Sequence, residues 1–280
     1  MNNFTPWPVP QGWQNPLNEW ETIMIASSCS AETIRTRLQH LRTTARILDC
    51  APWEVTEKSL HDYVASRSWK QETRRGYQTS IRLFYDWYSH RFSIHNPAEV
   101  LPKVKAASAT PRPITETALQ TALTNATGAA RLVLELAAFA GLRAAEIAQV
   151  NLSDLSQDLL GDVLIVHGKG GKERVVPISP ELAETIRDKA DPQTGWILPG
   201  NHNGHLSPHW VSKLAARALP DHYTLHQLRH RFGTRAYQGD RDLIAVQRLL
   251  GHSSVATTQR YVEPPSDAMR KAAQAAQQVN

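Results

Sequence analysis

The 280-residue chain has no apolar run of the roughly eighteen residues needed to cross a bilayer as a helix, so no membrane-spanning segment is expected. Its two cysteines, Cys29 and Cys50, are too few for a disulfide framework and read as ordinary thiols in a reducing cytoplasm. The first 29 residues contain no Lys or Arg and no continuous apolar segment, which argues against a secretory leader. A nucleotide-cradling loop is missing too. The run Gly168-Lys169-Gly170-Gly171-Lys172 has neither the spacing of such a loop nor a helix after it. His222, His226 and His230 recur every four residues, but Thr224 reads as a helix cap between the first two, no His-Glu-x-x-His arrangement is present and no cysteine lies nearby. A zinc site is therefore disfavoured.

What is present is a modest basic excess. Formal net charge is +5 with pI near 9.3, which points toward an anionic partner. Residues 30–105 hold thirteen Lys/Arg against eight Asp/Glu, while residues 1–29 hold two acids and no base. The basic character is thus densest in the first globular segment.

Along the chain, residues 1–29 carry Pro6, Pro8, Pro10 and Pro16 with Trp7, Trp13 and Trp20, and read as an extended arm. Ser30 caps a helix with the apolar stripe Ile34, Leu38, Leu41, Ala45 and Leu48. A second helix is expected from Thr56, turning Leu60, Tyr63 and Val64 inward. A third, from about Gln71 to His90, has Tyr77, Ile81, Phe84, Tyr85 and Tyr88 on one face. Arg74, Arg75 and Arg82 stand off that face, and Arg67 and Lys70 just precede it. Each alone fits a solvated surface; together they suit contacts to a nucleic-acid backbone. Residues 102–113, with three prolines and no periodicity, read as a linker. Beyond it, Thr115 opens a helix, Gly128 precedes another that ends at Gly141, and two β-branched runs, Val163–Val166 and Arg174–Ile178, flank the glycine-rich tip as a hairpin. Residues 266–279 read as an alanine-rich tail helix too thin for a core of its own.

The chemistry concentrates between Thr224 and Tyr261. His226 and Arg229 are three apart and share a helix face. Gly251 is placed as a helix C-cap, His252 follows it, and Tyr261 stands nine residues later, on a run that Ser253 or Ser254 opens. Cations gathered around one hydroxyl suit chemistry on an anion. Upstream, Arg143 follows the turn at Gly141 with Glu146 three residues on. This is either a simple surface pair or an anion clamp whose guanidinium the carboxylate orients.

These pieces resemble one family. Gly141-Leu142-Arg143-Ala144-Ala145-Glu146 and Gly168-Lys169-Gly170-Gly171-Lys172-Glu173-Arg174 resemble the first-arginine and hairpin-lysine motifs of tyrosine recombinases. His226-Gln227-Leu228-Arg229-His230 resembles their His-x-x-Arg box. Leu249-Leu250-Gly251-His252 and Thr257-Thr258-Gln259-Arg260-Tyr261 resemble the closing histidine and nucleophile motifs. The resemblance spans about residues 115–261, and its five motifs occur in the family's order.

The resemblance implies a mainly α fold with a small β-hairpin or sheet (α+β): a helical core-binding domain over 30–101, the 102–113 linker and a catalytic domain over 114–263, closing as a C-shaped clamp on DNA. The tail, 264–280, would pack on a neighbouring subunit. It implies that Tyr261 attacks the scissile phosphodiester, leaving a 3′-phosphotyrosine and a free 5′-hydroxyl. Arg143 and Arg229 would hold the non-bridging oxygens, since a guanidinium stays protonated and forks onto two oxygens. Lys169 is the implied general acid, His226 a proton handler and His252 a hydrogen-bond donor to the phosphate. No metal, cofactor or ATP is required, because the bond energy stays in the phosphotyrosine. Arg67, Lys70, Arg74, Arg75 and Arg82 are the candidate DNA contacts, whereas Lys172 and Arg174 read as surface charge or backbone contacts. The implied partners are double-stranded DNA, three further copies in a synaptic tetramer, and a candidate directionality factor. The Arg229–Tyr237 run is similar to that of phage and mobile-element integrases. A Xer-type dimer resolvase, a type IB topoisomerase and a DNA-binding module without catalysis remain the alternatives.

Overall fold

The computed structural model describes residues 8–105, 113–168, 170–220 and 223–251. The chain divides into two compact units, Met1–Ala109 and Thr110–Asn280. Among the described residues no helix is long and apolar enough to cross a membrane.

The first unit contains helices α1 (Gln14–Ala26), α2 (Ala31–Leu48), α3 (Glu57–Ala65) and α4 (Gln71–Phe92). The caps follow from sequence. The Ser30 hydroxyl accepts from the Thr33 N–H at the start of α2, and Thr56 with Ser59 forms a reciprocal box at the start of α3. The extended arm expected over residues 1–29 is corrected where the segment is described: residues 14–26 are helical, and Trp13, Leu17, Trp20 and Met24 are buried along one stripe. The prolines permit this. Pro8 and Pro10 precede the helix, and Pro16 occupies its first turn, where no backbone N–H is needed. The Trp13 ring stacks on Phe84 at 5.4 Å between centroids, and its indole N–H donates to the Cys50 carbonyl at 2.8 Å. The first helical core therefore begins well before residue 30 and runs through to Leu101.

The second unit contains α5 (Glu116–Asn125), α6 (Gly128–Phe139), α7 (Ala144–Ala148), strands β1 (Leu155–Asp158), β2 (Gly161–His167) and β3 (Glu173–Pro177), then α8 (Pro180–Lys189), α9 (Pro208–Ala218), α10 (Leu225–Asp240) and α11 (Leu243–Leu250). Apolar on nearly all sides, α6 buries Leu132, Val133, Leu134, Leu136, Ala137 and Ala138, and α5, α7, α8, α9 and α10 pack around it. The sheet is antiparallel in the order β1-β2-β3, with Leu155 opposite Leu164 and Leu164 opposite Val176. The expected hairpin is present as β2 and β3, and β1 extends it on the other edge of β2. The architecture is mainly helical with one small sheet.

Candidate active site

The turn after α6, strand β3, helix α10 and the end of α11 bring the key side chains together. After α6 the chain reverses at Gly141, whose φ of +66° is left-handed. A Cβ there would stand 2.7 Å from Cε1 of Phe232, so only glycine fits this close approach of α10. Arg143 follows in extended conformation as the N-cap of α7. Its backbone N–H donates to Glu146 Oε2 at 2.8 Å and its Nη1 to Glu146 Oε1 at 2.7 Å. The Arg143 side chain is 44% exposed, so the carboxylate holds one edge of the guanidinium and leaves the rest toward solvent.

Arg229, on the first turns of α10, is buried at 2% exposure. Its Nη1 donates to the Gly141 carbonyl and its Nη2 to the Leu250 carbonyl, and Nη1 lies 3.5 Å from Glu146 Oε2. A third guanidinium completes the cluster. Arg174, on β3, donates Nη1 to Glu146 Oε1 at 2.9 Å, Nη2 to Oε2 at 2.8 Å and Nε to the Leu249 carbonyl at 2.8 Å. Glu146 is only 4% exposed. Burial alone would push its carboxyl up. The Arg174 hydrogen bonds, the Arg143 backbone N–H and the charges of Arg174 and Arg229 outweigh that and hold it down at about 2.

His226 shares the α10 face of Arg229 and reaches the cluster's edge. Its Nε2 lies 3.0 Å from Nε2 of the buried His230, so one of these nitrogens carries the hydrogen that the other accepts. Burial first, then the Arg229 and Arg143 charges, lower the His226 pKa and favour the neutral imidazole. Among the described residues no group of three or more His, Cys, Asp or Glu is arranged to hold a metal ion. His222, the first of the four-residue histidine series, lies outside them.

The structure thus joins Arg143, His226 and Arg229. The other three expected site residues, Lys169, His252 and Tyr261, lie outside the described residues, as does the tail over 264–280. Their attachment points are described. Gly168 N–H donates to the Lys172 carbonyl at 2.6 Å, closing the hairpin below its tip, and Gly170 and Gly171 are left-handed. Gly251, with φ +59°, ends α11 directly before His252.

Arg174, read from sequence as surface charge or a backbone contact, is instead 10% exposed and bound to Glu146, and His230, weighed only within the four-residue histidine series, is the buried partner of His226. A signal for Arg174 exists in the strand alternation: it shares a face with Val176, which is buried, while Glu173 and Val175 are exposed. For His230 the signal is its four-residue offset from His226 on one helix.

The candidate DNA contacts in the first unit divide. Arg74 donates to the carbonyls of Val64 and Arg67, both at 2.8 Å, and Arg82 to that of Leu101. Arg67 lies over the Tyr63 ring at 5.2 Å. These three are partly buried and knit the unit together. Lys70 and Arg75 are exposed, the latter 3.3 Å from Glu72.

The phage integrase family model matches residues 113–266. The chain is 34% identical to the tyrosine recombinase XerC of Rhodospirillum centenum over 212 residues, 68% of this chain and 62% of that one. It is 27% identical to XerC of Actinobacillus pleuropneumoniae over 267 residues, 86% of each. Its fold is similar to that of the XerH site-specific recombinase bound to difH substrate, with TM-score 0.69, 18% identity and coverage of 94% and 85%. A lambda integrase tetramer bound to a Holliday junction gives TM-score 0.72 at 18% identity, covering 90% and 77%.

Proposed function

The chain belongs to the phage integrase family, and from that membership we propose that this site-specific tyrosine recombinase cuts and rejoins duplex DNA through Tyr261. The observation that carries the reading is the gathering of Arg143 and Arg229 around one buried carboxylate, with His226 beside them. In-line attack on a phosphodiester builds negative charge on the non-bridging oxygens. Two preorganised guanidiniums stabilise that charge without reorganising at the moment of reaction. Tyr261 supplies the phenolic oxygen, and His226, held neutral, accepts its proton. The phosphorus–O5′ bond breaks as the phosphotyrosine forms. Lys169 on the hairpin delivers a proton to the departing 5′-oxygen, and His252 donates a hydrogen bond to the phosphate. The free 5′-hydroxyl of a partner strand then attacks the phosphotyrosine, so ligation needs no ATP.

DNA is the substrate, and the active assembly is a tetramer of this chain on two synapsed sites. Lys70 and Arg75 are the contacts of the first unit best placed for the DNA backbone. The biological event is integration and excision of a mobile element, with a directionality factor as partner. Similarity to XerC over 86% of the chain favours a second reading, a Xer-type dimer resolvase.

A nicked suicide duplex carrying the target site tests the chemistry. The wild-type chain is expected to form a covalent protein–DNA adduct, and Tyr261→Phe none. An adduct with Tyr261→Phe, or none with the wild type on any DNA, refutes the reading. Joining of two unlike attachment sites supports the integrase, and resolution of direct repeats alone supports the Xer-type role.

A further inference from the structure

We propose that Arg174 is a positioning residue of the strand-cleavage reaction, locking the spacing of the two phosphate-binding guanidiniums and the departure point of the His252 segment into one body. The inference rests on the recombinase reading and adds a residue to it. Arg174 uses every edge of its guanidinium inward. Nη1 and Nη2 take the two oxygens of Glu146 at 2.9 and 2.8 Å, and Nε takes the Leu249 carbonyl at 2.8 Å. Its side chain is 10% exposed.

The partners of those bonds are the structural supports of the site. Glu146 fixes the backbone and guanidinium of Arg143. The neighbouring Leu250 carbonyl accepts from Arg229, which also donates to Gly141. Successive carbonyls at the end of α11 are thus held by Arg174 and Arg229, and both guanidiniums meet the same carboxylate. Gly251 completes the fit, because a Cβ there would lie 3.0 Å from Cδ of Arg174. Arg174 is borne on β3, the strand that returns from the Lys169 tip. One side chain therefore ties together the hairpin, the α7 cap and the end of α11.

A lysine cannot replace it. A single ammonium has one nitrogen and cannot span both carboxylate oxygens and a carbonyl in the planar fork that Arg174 uses. Displacing reacting groups by about 1 Å is enough to cost on the order of a hundredfold in rate. DNA affinity, set mainly by contacts along the phosphate backbone, should change little.

The test uses the full chain with Arg174→Lys and Arg174→Ala on the nicked suicide duplex. The single-turnover rate of covalent adduct formation and the Kd for uncleaved DNA are both measured, and thermal melting checks that each variant is folded. The expected result is a rate loss of about a hundredfold for Arg174→Lys, with Kd within about threefold and a cooperative melt. Arg174→Ala should be at least as slow. Wild-type cleavage by Arg174→Lys overturns the proposal, as does a rate loss matched by an equal loss of DNA binding. Should Arg174→Ala fail to fold, the lysine variant decides alone. Absence of any adduct with the wild-type chain overturns the recombinase reading itself, a failure distinct from a wild-type rate in the variants.

Discussion

Replacing Glu146 by Gln preserves shape and removes one charge, and the structure says how much that should matter. Oε1 receives Arg143 Nη1 and Arg174 Nη1, and Oε2 receives the Arg143 backbone N–H and Arg174 Nη2. Either orientation of a Gln amide therefore turns its NH2 onto two N–H donors. The variant loses charge-assisted hydrogen bonds of about 1.5–3 kcal/mol each and strands buried cations, a change that typically costs about 3–5 kcal/mol. Linkage gives an independent figure. A carboxyl shifted from 4.5 to about 2 is stabilised in its charged form by about 3 kcal/mol. Because the folded-state pKa is depressed, this stability is fully present above 4.5 and is lost as pH falls through about 2. Glu146→Gln mimics the protonated carboxyl. The wild type should then exceed it by about 3 kcal/mol near neutral pH, and the gap should close as the pH is lowered. Urea unfolding of both chains, read by pulsed hydrogen exchange on peptides from residues 132–150, measures this. A neutral-pH gap below about 1 kcal/mol, or a gap unchanged down to about pH 3, would refute the assignment of Glu146 as the shared anion.

Trp13→Ala should destabilise the first unit by about 3–5 kcal/mol, measured by chemical denaturation, because Trp13 is fully buried against Phe84 and Tyr85. An exposed arm would show no change. Arg75→Ala should weaken DNA binding and reduce its salt slope by about one phosphate contact without altering stability. Arg74→Ala should instead lower the melting temperature of the unit, since its guanidinium holds the Val64 and Arg67 carbonyls. His167, at the base of the hairpin, has its pKa raised by the hydrogen bond to Asp154 at 2.9 Å, aided by Glu173. Its contribution is fully present below the ordinary 6.5 and lost as pH rises through the raised value. Amide protection of residues 161–177, corrected for intrinsic exchange, should fall over that window, and His167→Asn should abolish the dependence.

How far the fold was legible depended on whether the signal was local. The α2 and α4 stripes, the caps at Ser30, Thr56 and Thr115, and the glycine ends at Gly141 and Gly251 all express interactions within a few residues, and periodicity exposes them. The α1 helix was obscured by proline density. Counting prolines misled where their positions did not, for the stripe Trp13, Leu17, Trp20, Met24 is helical. Strand β1 is four residues, Leu155–Asp158, mostly polar and exposed. Its conformation comes from pairing with β2, which no local pattern encodes.

The same division runs through the site. Arg143 with Glu146, and His226 with Arg229, are neighbours three residues apart, so spacing brought out both pairs. Of the two readings open for the Arg143–Glu146 pair, the one in which the carboxylate orients the guanidinium matches the structure, but the larger part of Glu146 is to join Arg143 to Arg174 and Arg229, 28 and 83 residues further on. Such long-range sharing is invisible to spacing. Alternation could still have separated Arg174 from Lys172. Counting back by twos from the buried Val176 puts Arg174 on the inward face of β3, whereas Lys172 stands outside the strand on the turn. A cation on the inward face of a strand must find an anion or desolvate alone, and the second option costs several kcal/mol. Arg174 therefore demanded a buried carboxylate somewhere in the second unit. Glu146, the acid already paired with an arginine and buried in the first turn of α7 just beyond the apolar α6, is the carboxylate that meets that demand.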